Sequence, residues 1–301
     1  MRSRLTGIAA GRLMTSASPS PTQLQSGGQR EFDLTNTDFE RVRKLIYEHA
    51  GIALSSIKRD MVYSRLARRL RATGANSFSV YLDRLLSRES REWEAFVNAL
   101  TTNLTSFFRE SHHFDILAGE IRNRWSHRPL KIWCSASSTG EEAYSIAIAV
   151  CEAFGSAAPP VQILASDLDT HCLAEARTGV YPMERVERID ASRLSRFFLK
   201  GAGEQAGMVR VRPDLARLVD FKRINLLDPN WPLHGPFDAI FCRNVMIYFD
   251  KPTQYKVLVR FKPLLHRDGL MFAGHSESFT HATDLFRSIG RTVYERADAA
   301  R

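Results

Sequence analysis

The residues able to do chemistry in this 301-residue chain gather where apolar runs stop. The run Leu130–Cys134 gives way to Ser135-Ala-Ser-Ser-Thr-Gly140, then to Glu141 and Glu142, and a helical apolar pattern starts at Ala143. A second run, Val161–Ser166, stops at Asp167-Leu-Asp169. A third, Leu218–Ile224, stops at Asn225-Leu-Leu-Asp228, and a fourth, Phe237–Cys242, at Arg243-Asn-Val-Met-Ile-Tyr248. In a doubly wound sheet, ligands bind at the carboxyl ends of the strands near the switch point, so these four ends are the candidate site. Small side chains in the first turn let backbone approach a ligand closely. Asp167, 27 residues after Gly140, suits hydrogen bonding to ribose hydroxyls. The turn carries neither GxGxxG nor GxxxxGK[ST], and two glutamates at a helix N-terminus repel phosphates. A ribose-bearing ligand with a cation and no phosphate fits better. S-adenosylmethionine is such a ligand, and a carboxylate beside the turn can meet its ammonium end. Each residue alone also has a plainer reading. Asp167 reads as a helix N-cap, the glutamates as complements of a helix dipole, Tyr248 as a core aromatic and Arg109 as an ion-pair partner. The order of all four strand ends carries the argument.

The elements that must position these residues alternate from about residue 130. Strand-like runs, including Gly269–Ala273, alternate with helical ones such as Glu141–Phe154 and Thr170–Thr178, which implies α/β architecture with a doubly wound, Rossmann-like parallel sheet over 130–301. An insertion at about 179–217 breaks the alternation. Helical Ala191–Phe198, the glycine-rich Lys200–Gly207 and alternating Met208–Arg212 read as a small antiparallel β-subdomain. Residues 31–100 read as all-helical. Thr37-Asp-Phe-Glu40 has the capping-box pattern, and Lys58–Arg71, Ser77–Leu86 and Glu92–Leu100 supply further helices. Residues 101–129 read as a linker helix. Residues 1–30, rich in Ser, Gly, Pro and Gln and without a periodic apolar pattern, read as a disordered tail; a secretory signal is rejected, because its apolar run is short and is broken by Arg12.

Hydrophobic residues make up 44% of the chain and aromatics 10%, enough for real cores, yet no apolar run approaches the roughly 20 residues of a membrane helix. Four scattered cysteines without a CxxC pair favour reduced thiols in a cytoplasmic protein over disulfides or zinc. The net charge of +9 leaves nucleic acid, anionic membrane and an acidic protein surface open as partners. A nicotinamide dehydrogenase is disfavoured by the missing glycine fingerprint. A nucleic-acid protein or RNA methyltransferase is disfavoured by the lack of an aromatic RNP-like motif and of a basic tail. A regulator that only senses the cofactor remains a third alternative.

Several longer strings resemble one family. Asn103-Leu-Thr-Ser-Phe-Phe-Arg-Glu110, Ser138-Thr-Gly-Glu-Glu142, Ala165-Ser-Asp-Leu-Asp169, Phe237–Asp250 and Phe272-Ala-Gly-His-Ser-Glu277 closely resemble the chemotaxis receptor methyltransferases, the CheR family, across about residues 31–297. The resemblance implies a class I S-adenosylmethionine-dependent protein-glutamate O-methyltransferase that forms γ-methyl esters on receptors and releases S-adenosylhomocysteine, with no metal. It implies an N-terminal helical domain and an inserted β-subdomain. It also implies cofactor contacts at Asn103, Thr105, Arg109, Glu142, Asp167, Asn225, Leu226, Cys242 and Arg243, with Arg109 and Tyr248 nearest the transferred methyl. Glu142, rather than Glu141, meets the methionine end on this reading. The implied partners are methyl-accepting chemotaxis receptors, with no nucleic acid and no membrane insertion. Their acidic methylation helices would dock on the basic Lys58–Arg71 helix, and a receptor C-terminal tail peptide would add a strand to the β-subdomain near Gly201–Gly207.

Overall fold

A computed structural model describes residues 30–87 and 92–299; all but the last residue of the expected tail lies outside them. Four helices open the described chain: α1 (Asn36–Ala50), α2 (Arg59–Thr73), α3 (Phe78–Leu85) and α4 (Trp93–Leu100). The cap of α1 is Thr35, not Thr37. Its hydroxyl accepts from the Asp38 amide at 3.0 Å and donates to the Asp38 carboxylate at 2.7 Å. Thr35 and Asp38 have the same i, i+3 spacing as Thr37 and Glu40, so the motif was present twice and the earlier copy won. The apolar faces of the four helices, among them Val42, Ile46, Leu66, Leu70, Phe78 and Phe96, close over one core.

The expected linker helix forms only in part. Residues 101–111 are irregular, α5 spans His112–Glu120, and a π-helical turn follows at Ile121–Trp125. The α/β region then runs β1 (Leu130–Cys134), α6 (Glu141–Phe154), β2 (Val161–Asp167), α7 (Thr170–Thr178), β3 (Val180–Pro182), α8 (Ala191–Phe197), β4 (Phe198–Lys200), β5 (Met208–Val211), α9 (Pro213–Ala216), β6 (Val219–Arg223), β7 (Phe237–Cys242), α10 (Lys251–Phe261), β8 (Leu265–Ala273), β9 (Phe286–Gly290) and β10 (Val293–Arg296). Seven strands form one sheet in the order β6-β2-β1-β7-β8-β10-β9. The first five are parallel, and β10 runs antiparallel to both of its neighbours. All six residues of β7 are buried, as expected of a parallel strand covered on both faces. The closing β9–β10 hairpin was not evident from the sequence, because Arg287, Ser288, Arg291 and Thr292 interrupt its apolar alternation.

The insertion forms a separate three-stranded antiparallel sheet, β3-β5-β4, with Leu199 facing Arg210 and Lys200 facing Val209. It packs on the first turn of the α/β region: the Tyr181 hydroxyl donates to the Thr139 carbonyl at 2.7 Å, and Phe107 stands edge-on to both Tyr181 and Phe198.

Candidate active site

Strand order reverses at β1, whose neighbours are β2 on one side and β7 on the other. At this switch point the carboxyl ends of β1, β2, β6 and β7 open into a cavity of about 360 Å³. The remaining walls come from the helical domain and the irregular linker: residues 50 and 52–55 after α1, Lys58 and Met61 at the start of α2, and residues 100–105. Hydrogen bonds join the two sides. The Asn225 amide donates to the His49 carbonyl at 2.8 Å, the Ala53 N–H to the Tyr248 carbonyl at 2.9 Å, and the Tyr47 hydroxyl to Asp250 at 2.6 Å.

The turn after β1 supplies the floor through Ser135, Ala136 and Ser138. Gly140 ends it at φ +98°, where a Cβ would come within 2.9 Å of both Ala176 Cβ and Tyr181 Oη; only glycine fits. Asp167 stands opposite. One carboxylate oxygen accepts from the Ser138 amide at 2.7 Å and the other from the Asp169 amide at 2.9 Å. Burial pushes its pKa up to about 6 in spite of these N–H donors.

The neighbouring glutamates diverge because successive helical positions are about 100° apart. Glu142 lines the cavity. It accepts from the Arg243 guanidinium at 2.6 Å and from the Cys134 thiol at 3.3 Å, and burial raises its pKa although Arg243 opposes the rise. Glu141 turns into the protein, where it accepts from Thr139 at 2.6 Å and from Arg185 of the insertion at 2.9 Å. Arg243 also donates to the Arg109 carbonyl and lies 3.3 Å from the Glu110 carboxylate. Burial works to raise the pKa of Glu110, but the hydrogen bond from His275 and the charge of Arg243 outweigh it and hold the pKa at about 2.

Of the sequence-predicted residues, Asn103, Thr105, Arg109, Glu142, Asp167, Asn225, Leu226, Arg243 and Tyr248 all line this cavity. Cys242 does not. It is fully buried at the end of β7, outside the lining, and burial raises its thiol pKa well above the ordinary value. Asn103 has its amide committed to Asp169 at 2.8 Å, so it fastens the linker to the sheet. The Arg109 guanidinium donates to the Leu104 carbonyl at 2.9 Å, and among the described residues no carboxylate is within ion-pair distance of it.

Two carboxylates that the sequence did not single out hold the site together. Asp169 caps α7 and also accepts from Thr101 at 2.7 Å. Glu277, buried after β8, accepts four backbone N–H groups: Gly274 at 2.5 Å, Met246 at 2.7 Å, Asn244 at 2.9 Å and Val245 at 3.0 Å. It thereby clamps the turn between Arg243 and Tyr248, in which Asn244 has φ +57°. A Cβ on Gly274 would meet the Asn244 side chain at 2.3 Å, so the clamp also requires a glycine. Glu277 lies in the Phe272–Glu277 string, but no spacing rule marks a carboxylate whose partners are backbone amides.

In the basic helix, several charges have partners inside the chain. Arg65 donates to the Ala99 and Thr101 carbonyls at 3.3 and 2.5 Å, Arg69 pairs with Glu92 at 2.7 Å, and Arg59 donates to Asn36 at 3.0 Å. These three charges hold the helical domain and the linker in place; Lys58 and Arg68 stand exposed.

A sheet with an antiparallel strand between two parallel ones at its far edge, and a switch-point cavity holding acidic groups rather than a phosphate loop, define a class I S-adenosylmethionine-dependent methyltransferase. The chain matches the description "CheR methyltransferase, SAM binding domain" over residues 103–295 and "CheR methyltransferase, all-alpha domain" over residues 37–101. It belongs to the CheR methyltransferase family. It is 54% identical to chemotaxis protein methyltransferase 2 of Pseudomonas aeruginosa over 94% of this chain and 100% of the relative. It is 50% identical to the chemotaxis protein methyltransferase of Salmonella typhimurium over 93% of this chain and 98% of the relative, and 34% identical to chemotaxis protein methyltransferase 1 of P. aeruginosa over 84% of this chain and 94% of the relative. Among the described residues no group of three or more His, Cys, Asp and Glu is arranged to hold a metal, and no helix is long and apolar enough to cross a membrane.

Proposed function

We infer that this chain transfers the methyl group of S-adenosylmethionine to glutamate side chains of chemotaxis receptors in the cytoplasm, giving glutamyl methyl esters. The donor set fits the cofactor. Asp167, already an acceptor at the cavity wall, takes the ribose hydroxyls. Glu142 and Arg243 present a carboxylate and a guanidinium side by side to the zwitterionic amino-acid end, and Asn225 and Leu226 flank the adenine. Asn103 and Thr105 wall the cavity on the linker side. Cys242 contributes from beneath by packing. When bound, the cofactor supplies a methyl group on a sulfonium, an electrophile whose leaving group is neutral.

The observation that carries the reading is Arg109, a cavity guanidinium with no carboxylate partner among the described residues. It suits an incoming carboxylate. A glutamate is ionised at neutral pH, so no strong base is required. The chain's task is to align the acceptor oxygen and exclude water, to which the helical-domain wall and Tyr248 contribute as part of the cavity lining.

Receptor docking follows from the exposed Lys58 and Arg68 of the α2 region, which complement acidic methylation helices. In the β3-β5-β4 sheet β4 is an edge, and with the Gly201–Gly207 turn it offers a place for a receptor tail peptide to add a strand. The test is incorporation of labelled methyl from the cofactor into receptors, with base-labile release marking an ester. Stable binding of S-adenosylhomocysteine without base-labile label on any receptor would overturn the reading. A tail peptide that does not bind in titration would remove the strand-addition step alone.

A further inference from the structure

The rim of the cavity carries aliphatic side chains that the fold does not use. Ile57 is 89% exposed, Leu104 80% and Ile247 48%, and they are three of the eight large hydrophobic residues left exposed among the described residues. Single exposed aliphatics are ordinary. Two of these three stand at the cavity and the third is next to it in sequence. Leu104 and Ile247 are part of the cavity lining, and Ile57 precedes Lys58, which is also part of it. Two of them border a polar group of the acceptor side: Leu104 lends its carbonyl to Arg109, and Ile247 precedes Tyr248. Lys58, Met61, Arg65 and Arg68 are spaced by three, four and three residues, so they share one face of the α2 region that begins at the mouth. Arg65 is bound to the Ala99 and Thr101 carbonyls, and of these four residues Lys58 and Arg68 are the exposed charges.

We propose that Ile57, Leu104 and Ile247 form an apolar collar that reads apolar side chains on the acceptor helix on either side of the methylated glutamate. The occupant is an acidic amphipathic helix lying along α2. Its carboxylates face Lys58 and Arg68, its acceptor glutamate enters toward Arg109, and its apolar flank covers the collar. Charge alone would tolerate any glutamate on a negative surface. The collar adds a requirement, because a glutamate flanked by polar residues leaves three large aliphatics in water and loses the free energy of burying them. This rests on the methyl-transfer reading above.

The test uses the full chain and the cytoplasmic helical bundle of a chemotaxis receptor, with S-adenosylhomocysteine binding measured in parallel. Ile57→Ser, Leu104→Ser and Ile247→Ser are each expected to raise KM for the bundle about fivefold by loss of partly buried apolar area. S-adenosylhomocysteine affinity and thermal midpoint should hold within error, because all three side chains are exposed. The effect should be the same at low and high salt, whereas that of Lys58→Ala or Arg68→Ala should fade as salt rises. Leu104→Met should restore the wild-type KM. Unchanged KM in the three serine variants overturns the collar. A parallel loss of S-adenosylhomocysteine affinity also overturns it, since the residues would then belong to the cofactor site. If the wild-type chain methylates no receptor carboxyl, the methyl-transfer reading itself falls, a result distinct from either of these.

Discussion

Replacing Glu277 removes the acceptor for four N–H groups at 2.5 to 3.0 Å, those of Gly274 and Met246 buried and those of Asn244 and Val245 partly buried. An unsatisfied buried donor costs about 1–3 kcal/mol, and the four cannot all be relieved by one movement. Partial opening to water reduces the sum, so Glu277→Ala is expected to destabilise the chain by about 3–5 kcal/mol, at the upper end of single-residue effects. Glu277→Gln is the sharper variant. It keeps the shape and one acceptor but turns the other oxygen into a donor that faces two N–H groups, and about 2 kcal/mol or more is expected. The clamped turn lies between Arg243 and Tyr248, so loosening it should also lower kcat at least tenfold at temperatures where the variant is folded. Denaturant unfolding gives the first quantity, and receptor methylation at saturating cofactor gives the second. A Glu277→Gln chain with the wild-type unfolding midpoint and wild-type kcat would refute the clamp.

Asp167 predicts a pH dependence. With its pKa raised to about 6, a carboxylate that must accept ribose hydroxyls is ionised above that pH and protonated below it. S-adenosylhomocysteine affinity should therefore be flat above about pH 7 and fall as pH drops through 6, and Asp167→Asn should bind weakly with that slope abolished; calorimetry across pH 5–8 decides. Arg109→Ala should lower kcat/KM for the receptor by about a hundredfold, with Arg109→Lys recovering part of the loss, because a lost charged contact to the acceptor costs on the order of 3 kcal/mol. Normal turnover in steady-state kinetics would exclude Arg109 from the acceptor side. Arg69→Ala, which leaves Glu92 without its 2.7 Å partner, should lower the thermal midpoint more than Arg68→Ala does, while Arg68→Ala should weaken receptor methylation at low salt. The reverse pattern, read from melting curves beside methylation rates, would return Arg69 to the docking face.

The apolar strands were legible because burial on both faces leaves no polar residue to obscure them; Phe237–Cys242 is the clearest case. The strand ends were legible for a related reason. A parallel sheet places them together whatever the loops do, so Asp167, Asn225 and Arg243 met in one cavity as their order implied. What the sequence hid depends on contacts without a local period. Residues 101–111 fall in the stretch that reads as a linker helix, but they are held by side chains far away in the chain, among them Asp169 and Arg65. Glu277 is bonded to main-chain amides, which any sequence supplies, and Asp169 divides its bonds between two such amides and the side chains of Thr101 and Asn103, distant in the chain. The choice of Glu142 over Glu141 depended on the phase of α6, which the resemblance supplied and the spacing did not. In the basic helix a count of charges could not separate the arginines spent on carbonyls from those left in water.

The cavity is walled from two sides, with Asn225 reaching to His49 and Ala53 to Tyr248. That shared wall means the all-helical portion is no detachable adaptor. A chimaera that grafts the sheet onto another targeting module would leave an open trough where the nucleoside should be enclosed. Exchanging specificity between relatives therefore requires transplanting residues 50–61 together with the strand ends they face.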